Sequence, residues 1–171
     1  SLMKDGRSLS DLKQGVTLEV FGEGTSPGPT RKKGDSNYLS FGDAMLQLES
    51  KGVSTNIASF LGATSVRIQE VGYENRKASS AEIENMKKLV KKSMEEGAMG
   101  IGSSLIYAPA DYADTNELIS LSKVASEYGG MYISHIRNED SRVLEAIDEL
   151  ITISKQANIP AEIYHLKASR K

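Results

Sequence analysis

Short apolar, β-branched runs alternate with longer stretches of helical period from residue 15 onward, and the pattern recurs every 30 to 45 residues. No other feature constrains the fold as strongly, because strand, helix and strand in succession produce parallel pairing. Strands are expected to start near residues 16, 53, 98, 131 and 161. Helices are expected over Phe41 to Lys51, stopped by Gly52, and from Ser79 to about Glu96, where Ser79 and Glu82 have capping-box spacing. Two more run from about Thr115 to Tyr128 and from about Ser141 to Ala157, the latter the clearest amphipathic helix in the chain. The expected fold class is α/β: a parallel-stranded partial TIM (β/α)8 barrel of about five βα units, incomplete at both ends. Closure takes about 250 residues, and the sequence has 171. It reads as a single domain over 1–171, with 1–13 a tag or lead-in segment.

Composition excludes several functions. A formal charge of -2, with 21 Lys and Arg interleaved among 23 Asp and Glu, leaves no basic face for a nucleic acid. There is no cysteine, so disulfides, thiolate metal sites and cysteine nucleophiles are excluded. No apolar run approaches a bilayer span, and the opening residues lack the pattern of a signal peptide, so a cytoplasmic setting is the expectation. The glycines do not spell a phosphate or dinucleotide loop, and Ser103-Ser104 has no nucleophile elbow around it. Met86 and Met94 fall at helical positions suited to packing.

The chain has two histidines, and each closes an expected strand, His135 in Met131–His135 and His165 in Ala161–His165. In a parallel sheet the ligand face lies at the carboxyl ends of the strands. Neighbouring strands lie about 4.8 Å apart, so two inward imidazoles there can share one cation. Glu23 closes the first strand on the same face and supplies a carboxylate, whereas Glu19, four residues earlier, lies deeper in the sheet. Lys167, Arg137 and the loop residue Tyr107 are candidates for binding an anionic substrate. Arg137 also has Glu139 and Asp140 close by in sequence as surface partners. The long Gly-, Ser- and Pro-rich loop from Gly24 to Ser36 follows this strand end.

The blocks GVTLEVFGEGTSPGP, GAMGIGSSLIYAPADYA, GGMYISHIRNE and IPAEIYHLKAS, in this order, resemble the D-aminoacylase (N-acyl-D-amino-acid deacylase) branch of the metal-dependent amidohydrolase superfamily. The likeness runs from about Gln14 to Ser169. It implies a barrel with one or two divalent metals, usually zinc, and hydrolysis of the amide bond of an N-acyl-D-amino acid or, in other branches, of a cyclic amide. It further implies His135 and His165 as zinc ligands, with Tyr107 and Lys167 holding the substrate carboxylate. Where many such proteins carry a GNCG-like block, FGEG stands here, and Glu23 takes the place of the cysteine as ligand or bridge. The quoted blocks contain neither a His-x-Asp segment nor the general-base aspartate that the resemblance implies. The expectation is therefore a piece of a larger barrel with little activity of its own, whose open sheet edges favour self-association.

Overall fold

The computed structural model describes residues 2, 4–30, 36 and 38–167. The elements run α1 (Leu9–Lys13), β1 (Leu18–Phe21), α2 (Phe41–Lys51), β2 (Asn56–Ser59), β3 (Leu61–Gly62), α3 (Ala63–Glu70), α4 (Ser80–Glu95), β4 (Gly100–Ser104), a 3-10 turn (Ala110–Tyr112), α5 (Thr115–Glu127), β5 (Met131–His135), α6 (Val143–Ala157) and β6 (Ala161–Ile163). Among the described residues these strands pair in parallel: β1 with β2, and β3-β4-β5-β6 in that order.

The expected second strand is divided at Phe60. Its first part pairs with β1 and its second with β4. Backbone bonds from Phe60 N to Phe21 O (2.8 Å) and from Met99 N to Ser59 O (3.0 Å) bridge the division, so the strands form one continuous curved arc.

Local sequence sets the helix starts. Ser79 and Glu82 form the expected capping box, and Ser40 with Asp43 forms another at α2. Asp114 caps α5 through Glu117 N at 2.9 Å. The helices cover one face of the arc: Met86, Val90 and Met94 of α4, Leu118, Leu121 and Ala125 of α5, and Ala146, Leu150 and Ile153 of α6 are buried with Ile101 and Tyr132 of the sheet. The two methionines are thus packing residues, as their spacing predicts.

Helix α3 is not foreshadowed by any periodic stripe. Ala63, Thr64, Ser65, Val66, Arg67 and Gln69 are all buried, so polar and apolar positions do not segregate and the amphipathic signal vanishes. Arg67 donates to Glu117 at 2.5 Å and to the carbonyl of Arg76, which joins α3 to α5 and to the connection ahead of α4.

Part of the presumed lead-in is folded. Residues 9–13 form α1, and Ser54 N donates to the Gly6 carbonyl at 2.9 Å. Ser1, Met3 and residues 31–35 of the long loop lie outside the described residues. Among the described residues no helix is long and apolar enough to cross a membrane.

Candidate metal centre

Strand register decides which side chains reach the inner face of the arc. Ser103 pairs with Ser134, and Ser104 with His135. Ser103 Oγ hydrogen-bonds Tyr132 Oη (2.6 Å) and Ser134 Oγ (3.0 Å) on the helix-covered side, so by alternation Ser104 and His135 face inward. On that inner side the segment after β1 folds over the sheet. Thr64 N donates to the Gly24 carbonyl (3.1 Å) and Ser26 N to Ser65 Oγ (3.1 Å), which pins it down.

Such close approach needs bare backbone. A Cβ on Gly102 would stand 1.8 Å from the Gly22 carbonyl oxygen, and Gly22 itself has φ +97°. The small residues of β4 thus allow the turn carrying Glu23 to lie against the sheet, as close backbone approach requires.

The sequence places His165 at a strand end equivalent to that of His135. The structure corrects this: β6 stops at Ile163, two residues short. Ser134 pairs with Ile163, so strict alternation would put Tyr164 level with His135 and turn His165 outward. The bend after Ile163 breaks that alternation and brings the ring of His165 back toward His135. Their centroids are 4.4 Å apart and their planes cross at 86°.

Glu23, His135 and His165 therefore converge, with one ligand atom from each lying within 4.8 Å of the others. Glu23 Oε1 is 3.2 Å from His135 Nδ1 and 3.2 Å from His165 Nε2. Two ligand atoms on a tetrahedral ion with bonds of about 2.0–2.1 Å stand about 3.3 Å apart, so this spacing and this donor set fit a divalent cation. His135 is buried, while Glu23 is half-buried and opens on a cleft of about 630 Å³ shared with Ser104, Tyr107 and Tyr164. Glu19 instead accepts from Thr55 Oγ1 (2.9 Å), away from the cluster.

The other candidates divide. The Tyr107 ring lies 5.4 Å from that of His135, at the cleft wall. Lys167 Nζ is 3.6 Å from Glu139 Oε1 at the rim. Arg137 is not brought into the cluster. Its Nε and Nη2 form a fork on Glu149 (2.8 and 2.9 Å), and Nη1 and Nη2 also hold the carbonyls of Asp111 and Ala113 at 2.9 Å each. Its acidic partner lies on α6, one helix away, instead of at Glu139 or Asp140. Sequence reasoning missed Glu139 as a member of the site: Oε1 stands 3.4 Å from His135 Nε2 and 3.4 Å from His165 Nδ1.

No family model matches the sequence. D-aminoacylase of Alcaligenes xylosoxydans xylosoxydans is 28% identical over 156 residues, covering 90% of this chain and 32% of its own length. N-acyl-D-glutamate deacylase of the same organism is 28% identical over 166 residues, covering 90% of this chain and 34% of its own. This chain thus spans about a third of the length of the curated relatives it matches. Among solved structures, a D-aminoacylase variant in complex with copper chloride superposes with a TM-score of 0.90 at 26% identity, covering 98% of this chain and 38% of that one. The fold is also that of an N-acyl-D-glutamate deacylase from Bordetella bronchiseptica, complexed with zinc and a phosphonate inhibitor (TM-score 0.88, 24% identity). The curated homologues and structural neighbours of this chain are D-aminoacylases and N-acyl-D-glutamate and N-acyl-D-aspartate deacylases of the amidohydrolase family, and it matches a fragment of their barrel domain.

Proposed function

We propose that Glu23, His135 and His165 hold a divalent metal, zinc by preference, at the centre of a site for hydrolysing the amide bond of N-acyl-D-amino acids. The observation that carries this reading is the single Glu23 oxygen placed 3.2 Å from one nitrogen of each imidazole. Support for the substrate class comes from the deacylases that this chain resembles along most of its length. When bound, a divalent cation supplies Lewis acidity, polarising an amide carbonyl and making water nucleophilic near neutral pH.

The chain's own residues do the rest. His135 presents Nδ1 and His165 presents Nε2 toward Glu23, whose carboxylate offsets the cation's charge. Tyr107 on the cleft wall and Lys167 at the rim hold the substrate carboxylate, the phenol by a hydrogen bond and the ammonium as a point charge. Arg137, taken up by Glu149 and two carbonyls, is left out of substrate binding. No general base is assigned to this chain, and the site is placed in a cytoplasmic protein.

Calorimetric titration with Zn²⁺ and assay of N-acetyl-D- and N-acetyl-L-amino acids test the proposal. It expects close to one tightly bound ion per chain, loss of binding in His135→Ala and His165→Ala, and any turnover confined to the D series. Zinc uptake without turnover would favour an inactive metal-binding module. Absence of zinc uptake would defeat the metal reading.

A further inference from the structure

Each imidazole has two nitrogens, and Glu23 meets only one on each ring. The remaining two, His135 Nε2 and His165 Nδ1, both face the same oxygen of Glu139. All three atoms are buried and have no hydrogen-bond partner at the present separations of 3.4 Å. Glu139 is only 7% exposed, although it stands in the connection between β5 and α6, where acidic residues ordinarily face water. Burying a carboxylate is costly unless it gains partners, and among the described residues its charged neighbour besides the two rings is Lys167 Nζ at 3.6 Å.

We propose that Glu139 is the positioning residue of this centre, accepting Nε2–H of His135 and Nδ1–H of His165 on one oxygen. The inference rests on the metal reading above. A neutral imidazole carries one N–H and one lone pair, and the acceptor beside one nitrogen selects which is which. An acceptor on the Glu139 side therefore leaves His135 Nδ1 and His165 Nε2 as lone pairs aimed at the Glu23 side. Sharing one oxygen also couples the rings, so the orientation of either imidazole fixes that of the other. Glu139 is unsuited to be the third ligand. It lies farther from both rings than Glu23 does, at 3.4 Å against 3.2 Å.

Zinc titration of the full chain carrying Glu139→Gln is the test. Affinity is expected to fall about ten- to hundredfold, with the far-ultraviolet circular dichroism unchanged. Affinity within about twofold of the parent overturns the role, since second-sphere partners of ligating histidines carry far more than that. His135→Ala, titrated alongside, separates the two proposals: if it loses zinc while Glu139→Gln does not, only the positioning role fails, and if it binds zinc like the parent, the metal reading fails with it. Long-range ¹⁵N spectra of the zinc-loaded parent give a readout that does not depend on any variant folding. They are expected to show the N–H on Nε2 of His135 and on Nδ1 of His165, and a proton on the opposite nitrogen of either ring overturns the role.

Discussion

Tyr132 carries a hydroxyl into the layer between sheet and helices, where it is met by Ser103. Burial pushes its phenol up to about 12, against the pull of the Ser103 and Ser134 hydroxyls. In the unfolded chain the same phenol ionises near pH 10. Below that pH both states keep the proton and stability is indifferent to it. Between about pH 10 and 12 only the unfolded chain has lost it, so stability falls as pH rises, by about 3 kcal/mol in all. Urea unfolding across that alkaline range is expected to show this decline, flattened in Tyr132→Phe. At this scale the sequence singled out Glu23, His135 and His165, which the structure brings together, because histidine is scarce here and the ligand face of a parallel sheet lies at its strand ends. It was a poor guide to Glu139, whose sequence neighbour Arg137 offered an easy surface pairing. The true partner, Glu149, becomes visible only once α6 is folded against the end of β5.

Arg137 ties together three elements. It leaves β5, grips α6 through Glu149, and caps the carbonyls of Asp111 and Ala113 that close the loop begun at Tyr107. Glu149 also accepts from Thr115 Oγ1 (2.8 Å), which adds the start of α5. Arg137→Ala is expected to cost about 2 kcal/mol, since a half-buried carboxylate and two carbonyls lose their donors together. It should also speed amide exchange at residues 110–113 relative to α4, which measures how firmly that loop is held. Equal exchange in variant and parent would place the anchoring elsewhere. The start of α4 followed the sequence closely because Ser79 and Glu82 stand three residues apart and close a capping box. The sequence was silent on α3 because burial on nearly every side leaves no polar stripe to detect. It overran β6 because an apolar alternation does not say where pairing ends.

The recurrence of strand and helix predicted the curved parallel sheet of the whole molecule, and the structure bears out that architecture. The rhythm could not show that the second strand divides at Phe60, which depends on which neighbour each half meets. At the outer edge, β1 has no strand on its far side among the described residues, and Leu18 and Val20 are 49% and 36% exposed. Such an edge is a template for another strand. Light scattering is expected to show concentration-dependent self-association, reduced by Val20→Lys, and a monomer at all concentrations would contradict it.

The contact between Gly22 and Gly102 gives the cleft a floor of main chain rather than of side chains. Natural variation has nothing to exchange at that depth without collision. Any change in the shape of the cleft must therefore enter from above, through positions such as Tyr107 and Tyr164, while the ground beneath Glu23 stays fixed.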